Sequence, residues 1–347
     1  MFCVLAVCIS RPAADEQSLR MTMTQRDEST VKAVGYNIHS CVGNDGFYSV
    51  ERISSVVRRL DAEIVCLQEV EANDLLPGRP SIPKRTRVWS GCHCDDQAAS
   101  IANLSGFEYH VFVPAIKSLA FGKLREKHAD VSRCDVSGNH HDPDWVKEQD
   151  GETKANETDL DSMMGRFGIA LLSKHPIVKL RVHSYRRYKK KTPRNAIACL
   201  IRLPDGTSIW VVNTHLGCHF SGREQYQQAG ELADFVNSLD QDNEIRGVVV
   251  CGDFNSPPWF RSMEVLRKSG MCDMWESPTV AAGSRHGGTF PSSCRLLCFE
   301  RLLRLDYIFL HHSGRRRISC KEVHVDDGVS SSVASDHLPL IAAFFLQ

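Results

Sequence analysis

The chain has 347 residues, 42% of them hydrophobic and 24% charged, an ordinary balance for a folded globular protein with room for one large α/β domain or two small ones. Its 42 lysines and arginines equal its 42 aspartates and glutamates, so no global field gathers a polyanion, which argues against a nucleic-acid coat protein and still permits a site that handles one phosphate. Fourteen cysteines are irregularly spaced, and Cys66, Cys199 and Cys251 lie inside apolar runs, where free cysteine acts as a small buried hydrophobe; they read as mostly reduced.

Residues 2–9 form a short apolar stretch with no basic segment before it, a poor signal peptide. Met21 or Met23 would serve equally well as a start, so residues 1–30 read as an extension and 31–347 as the domain. No run is long enough to cross a bilayer, and a cytoplasmic or nuclear location is expected over secretion. Residues 31–37 predict a strand, and Val50, Ile53, Val56, Val57 and Leu60 recur at helical spacing from Tyr48 to Leu60. Glu63–Glu69 reads as a buried strand ending in an acid. Apolar runs at 107–113, 167–172, 197–203, 208–213, 246–251, 305–310 and 338–345 predict further strands, with Pro204-Asp205-Gly206 as a hairpin turn and Arg223–Val236 as a helix. Residues 122–162 are polar and charged and predict a mobile surface loop; residues 291–303 form a second insertion. There is no internal repeat. Alternating strands and helices with hairpins predict one domain of two stacked sheets covered by outer helices.

Six short segments place polar groups at the ends of these runs: Asn37, Glu69, Asn213 with His215, Asp253 with Asn255, Asp306, and Asp336 with His337. Glu69 closes an apolar strand and resists burial without a partner; with the amide oxygen of Asn37 it suits magnesium, which takes one or two carboxylates and keeps water and substrate phosphate as other ligands. A surface acid is the alternative. Asp253 and Asn255, two residues apart, share a face on an extended chain, so a carboxylate can take a proton from water while an amide orients that water or a phosphate oxygen; an Asx turn before Pro257-Pro258 explains the same residues. The same spacing puts Asn213 and His215 on one face. A carboxylate holding His337 would fix its tautomer and favour its charged form, which could stabilise charge developing on phosphorus oxygens; His215 would contact phosphate or protonate the leaving group. Arg194 can grip a phosphate bidentately or sit on the surface as a strand-start arginine.

Gly-Asp-Phe-Asn at 252–255, Leu-Gln-Glu-Val at 67–70 and Ser-Asp-His at 335–337, in this order, resemble the endonuclease/exonuclease/phosphatase superfamily, the metal-dependent phosphoesterases related to deoxyribonuclease I. The resemblance runs from Val31 to the C-terminus apart from the two insertions. It implies a four-layer α/β sandwich, two stacked mixed β-sheets flanked by helices, with the site at one end of the sheets. It also implies Asn37 and Glu69 as ligands for Mg2+, with Mn2+ as an alternative, and Asp336 near the metal. Asp253 and Asn255 take the water-orienting and phosphate-binding roles, and Asp306 orients a catalytic His337. Asn213-Thr214-His215 resembles the Asn-x-His branch and argues against base-excision repair.

The expected function is magnesium-dependent phosphoester hydrolysis, on a nucleic acid or a phospholipid head group. A phosphomonoesterase of inositol phosphates or nucleotides, and a silent binding module keeping the fold, are the alternatives. Thr289-Phe290 followed by Leu305-Asp306-Tyr307 loosely resembles deadenylases. The basic stretch Arg186-Arg187-Tyr188-Lys189-Lys190-Lys191 could meet a polyanion or an acidic membrane, or be a solvated loop. Cys92-His93-Cys94 with Cys134, His140 and His141 invites a zinc reading, although the spacing matches no standard module.

Overall fold

The computed structural model describes residues 30–72, 93, 95–119, 127–128, 135–137, 146–150, 164–189, 191–240, 244–277, 287–293, 303–311 and 318–346. The expectations for residues 2–9, Met21 and Met23 lie outside them.

Two mixed sheets stack face to face. Across the first run β14 (Ile318–Val325), β15 (Leu340–Leu346), β1 (Thr30–Asn37), β2 (Ile64–Ala72), β7 (Met164–Ser173), β3 (Tyr109–Leu119) and β4 (Lys127–His128), with β5 (Asp135–Ser137) also pairing β3. Across the second run β12 (Met271–Asp273), β13 (Asp306–His311), β11 (Ile245–Asp253), β10 (Ser208–His215), β9 (Asn195–Arg202), β8 (Ile177–Ser184) and β6 (Val146–Asp150). Each has a parallel pair at its centre, β1 with β2 and β10 with β11, among antiparallel neighbours.

Strand alternation sorts the side chains into layers. Ile209 and Val211 join Ala33, Cys66, Leu171 and Cys251 between the sheets, while Trp210 and Val212 face outward against helices. Helices α1 (Val50–Leu60) and α2 (Gln97–Ser105) cover the first sheet; α3 (Arg223–Asn237) and α4 (Arg261–Lys268) cover the second. This is the expected four-layer sandwich. In α1, Val50, Ile53, Val56 and Val57 are buried, and the Ser49 hydroxyl caps it by accepting from the Arg52 amide.

The hairpin at Pro204-Asp205-Gly206 joins β9 to β10, with Gly206 at φ +83°. Within the 122–162 stretch, expected as a loop, the described residues form β4, β5 and β6, which add to sheet edges. The unpaired N–H and C=O groups of an edge recruit backbone whatever the side chains, so polar sequence does not forbid pairing. The 291–303 insertion is closed at its base by a bridge between Phe290 and Leu303. Cys66, Cys199 and Cys251 are buried.

A short helix, α5 (Val329–Ala334), leads into Ser335-Asp336-His337. Asp326 anchors its start, accepting from Arg59 of α1 at 2.5 Å and from the Ser331 hydroxyl. Burial alone would raise the Asp326 pKa, but the Arg59 and Ser331 hydrogen bonds outweigh it and hold the carboxyl below its ordinary range. A depressed native pKa contributes stability that is complete above the unfolded value, about 4, and is lost as pH falls through the native one. Asp326→Asn should therefore lower the melting temperature at neutral pH and flatten its decline in acid. An unchanged acid limb would refute the anchor.

Candidate active site

Pairing register assembles the centre of the site. In the second sheet His215 of β10 lies opposite Asp253 of β11, and Asp253 lies opposite Asp306 of β13, so three strand ends present polar groups side by side. Gly252 makes this closeness possible: a Cβ there would strike the Thr214 carbonyl oxygen, so a side chain would push β10 and β11 apart.

Asp253, Asp306 and His337 are each within 5% of full burial. His337 Nδ1 lies 2.8 Å from Asp306 Oδ2, and its Nε2 lies 3.8 Å from Asp253 Oδ2. Burial works against a charged imidazole, but the Asp306 and Asp253 carboxylates outweigh it and raise His337 to about 10, so the ring is an imidazolium at neutral pH. Phe290 tilts against the ring at 4.8 Å. Asp253 is pushed up to about 7, first by burial and also by Asp306, against the lowering effect of His337. Its Oδ1 accepts the Asn255 amide at 2.8 Å, so the Asx turn is present as well, with Asn255 at φ +47°.

His215 is buried and differs from His337 in charge. Arg194 Nη1, which can only donate, lies 3.3 Å from its Nδ1, while the Asn255 side-chain nitrogen, also a donor, lies 3.2 Å from its Nε2. Nε2 also faces Asp253 Oδ2 at 3.4 Å and Glu69 Oε1 at 3.9 Å. Burial, then Arg194 and His337, hold His215 well below its ordinary pKa, so it is neutral. The Asn255 side-chain amide donates to the Leu216 carbonyl.

The expected metal ligands border this cluster from the first sheet. Asn37 reaches between the sheets: Nδ2 donates to Asp253 Oδ2 at 3.0 Å, while Oδ1 accepts the His39 amide at 3.0 Å. Glu69 sits at a bulge, where the register of β2 against β7 skips between Gln68 and Val70, with φ +56°. An acidic residue in that region costs about 1–3 kcal/mol, and the bulge re-aims its side chain. Asp336 is half-buried beside His39, whose Nδ1 lies 3.9 Å from its carboxylate. An amide oxygen and two carboxylates form a hard-oxygen donor set, and among the described residues no lysine or arginine pairs with Glu69; the chemistry fits a divalent cation. Asp253, Asp306 and His337 also put one ligand atom each within 4.8 Å of one another. A positively charged ring already bound to Asp306 is a poor ligand, so this second group suits proton handling better.

Asn213, expected among the substrate-binding residues with Arg194 and Asn255, takes a different place. It does share a face with His215, but it lies deeper, fully buried between the sheets. Its Oδ1 accepts from Gln68 at 2.7 Å, and its Nδ2 donates to the Leu67 and Ala170 carbonyls. No hydrogen remains for substrate; the residue pins one sheet to the other. Asn213→Ala should leave KM for substrate within twofold, roughly, and cost about 1–3 kcal/mol for each stranded partner. A raised KM with unchanged melting would reverse that assignment.

Sequence reasoning missed several supports. Thr289 Oγ1 accepts from the Leu305 and Asp306 amides at 3.3 Å, and Ser335 Oγ donates to the Asn37 carbonyl at 2.7 Å. Asn44 donates to Ser292 Oγ at 2.7 Å and to the Ser332 and Ser335 carbonyls. The only signal was a run of small hydroxyl residues near the Ser-Asp-His segment. Of the zinc candidates, His93 is buried, bound to Glu71 at 2.9 Å and stacked on Tyr48 at 4.5 Å. Cys92, Cys94, Cys134, His140 and His141 lie outside the described residues.

Residues 34–337 match the model of the Endonuclease/Exonuclease/phosphatase family. Sphingomyelin phosphodiesterase 2 of Homo sapiens is 26% identical over 204 residues, 52% of this chain and 48% of that protein, so the match spans about half the length of this relative. An endonuclease/exonuclease/phosphatase from Bacteroides vulgatus superposes over 92% of this chain and 100% of its own, with TM-score 0.60 and 16% identity. A mannosyl-6-phosphatase from Bacteroides thetaiotaomicron superposes over 91% of this chain and 100% of its own, with TM-score 0.58 and 15% identity. At those identities the structural likenesses carry the fold alone.

Proposed function

This chain belongs to the endonuclease/exonuclease/phosphatase family, whose members are generally phosphoester hydrolases, and from that premise we propose that it hydrolyses a phosphodiester with a divalent cation, magnesium first and manganese as the alternative. The observation that carries the reading is the pairing of Asp253 with an imidazolium His337 held by Asp306, beside the Asn37 and Glu69 oxygens. When bound by Asn37, Glu69 and Asp336, the cation supplies Lewis-acid stabilisation of the phosphoryl and leaving oxygens.

The chain's own groups do the rest. Asp253 takes a proton at Oδ2 from the attacking water, and Asn255 orients that water or a phosphoryl oxygen. His337 donates from Nε2 to a phosphoryl oxygen as negative charge grows there, while Asp306 keeps the ring protonated and aimed. Neutral His215 donates from Nε2 to a second phosphoryl oxygen, and Arg194, holding its other nitrogen, binds the phosphate; as the bond from water to phosphorus forms, the bond to the leaving oxygen breaks and that oxygen takes a proton from solvent. A lipid diester is favoured over a nucleic acid because the matching relative is named for sphingomyelin and the chain has no net charge.

The test is hydrolysis of a soluble chromogenic phosphodiester beside the matching monoester, with magnesium and with chelator. Diester cleavage lost in chelator is expected. Monoester cleavage alone would turn the reading to a phosphatase, and cleavage of neither with magnesium bound would leave the fold as a binding module.

A further inference from the structure

Of three loops near candidate site residues, two carry the most exposed aromatic side chains among the described residues, and the third carries a half-buried one. Phe220, 91% exposed, follows His215 by five positions, and Trp259, 73% exposed, follows Asn255 by four. Tyr188 lies on the loop that ends at Arg194. The loops are contiguous. Gln225 bridges the His219 and Asn255 carbonyls, Tyr188 meets the His219 ring edge-on at 5.4 Å, and His219 stacks on Phe220 at 4.8 Å. A Cβ added at Gly222 would meet the Phe260 ring at 3.0 Å, so the loops pack closely there.

Cations surround these rings. Arg186, Arg187, Lys189 and Lys191 are exposed on the first loop, and Arg223 and Arg261 line a groove of about 310 Å³ together with Tyr226, Phe260 and Trp259. A chain with no net charge thus carries six of its 42 lysines and arginines beside its two most exposed aromatic side chains.

We infer that these loops form a docking surface for an anionic phospholipid bilayer, with Phe220 and Trp259 entering the head-group region and the basic residues contacting lipid phosphates. Apolar bodies at loop tips gain by leaving water, about 1.5–3 kcal/mol for a large side chain fully buried, and tryptophan favours the interface. Single-stranded nucleic acid would use the ring faces instead, by stacking bases. Several faces are already covered: Arg261 lies 4.9 Å over Tyr226, Lys189 lies 5.4 Å over Tyr188, and His219 covers one side of Phe220. Among the described residues no helix is long and apolar enough to cross a membrane, so the contact is peripheral.

The test is co-sedimentation of the full chain with phosphatidylcholine vesicles, with and without one-third phosphatidylserine, in chelator so that hydrolysis plays no part. Wild-type protein should pellet with the anionic vesicles. Phe220→Ala/Trp259→Ala should lower the partition coefficient about tenfold or more. Lys189→Ala/Lys191→Ala should lower it about thirtyfold at low salt, at about 1 kcal/mol for each charge. Both pairs should cleave a soluble diester at the wild-type rate. Failure to pellet, pelleting indifferent to phosphatidylserine or to the variants, or capture of oligodeoxythymidine by the same residues with vesicles ignored would each overturn the surface. Vesicle binding without soluble-diester cleavage would instead sustain the surface and count against the proposed reaction, so the two failures are separable.

Discussion

Replacing His337 with alanine is expected to reduce turnover of a soluble phosphodiester about a hundredfold or more, the usual size for a lost general acid or a preorganised charge. The size follows from where the ring sits. It is buried, bound to Asp306 at 2.8 Å, and placed where its free nitrogen can meet a developing oxyanion. Without it two carboxylates share a buried pocket with no cation from the chain between them, and at least one of them takes up a proton. Asp306→Asn separates charge from shape. It keeps a group able to bond Nδ1 but removes the negative charge that sustains the imidazolium, so its turnover should fall toward that of His337→Ala with little change in KM. Wild-type turnover in either variant, with the fold verified by melting, would remove His337 from the mechanism.

Glu69 carries the second large expectation. Glu69→Ala should also cost about a hundredfold in turnover and should weaken magnesium binding measured by calorimetry without substrate. The left-handed backbone at this position offers a sharper variant. Glycine takes φ +56° without penalty, so Glu69→Gly removes the carboxylate and relieves the strain together. It should melt at or above the wild-type temperature while losing turnover and magnesium affinity. A glycine variant that melts lower, or still binds magnesium normally, would show that the bulge serves packing rather than a ligand.

Much of this site was legible because strand ends are legible. An acid at either end of an apolar run marks a strand end, and Glu69, Asp253 and Asp306 were read from such positions. Period-two spacing also put Asn213 and His215 on one face, as observed. Spacing gives the face but not the depth, and two residues of strand separate a buried inter-sheet staple from a group at the cleft. That is why Asn213 was misassigned. The helix 97–105 escaped notice because its alanines and serines make only a weak apolar stripe; its Asp96 cap and Gly106 stop were the better signal. The strands at 177–184 and 318–325 carry lysine, arginine or glutamate between apolar residues, which blunts a search for continuous runs. The pairing of β4, β5 and β6 depends on backbone edges, about which side-chain patterning says nothing.

The join between β1 and β15 has a consequence for the protein's birth. Asn37 lies at the end of the first described strand, and the Ser335 hydroxyl that grips its carbonyl is 298 positions further along. As the chain leaves the ribosome, the Asn37 and Glu69 side of the cleft emerges early and must wait for His337 to be translated. A site built this way is incomplete in every nascent chain that lacks His337, and contacts so distant in sequence also make for slow closure. Termination after β13 and before His337 would yield a polypeptide with at least thirteen of the fifteen described strands and without the candidate imidazolium.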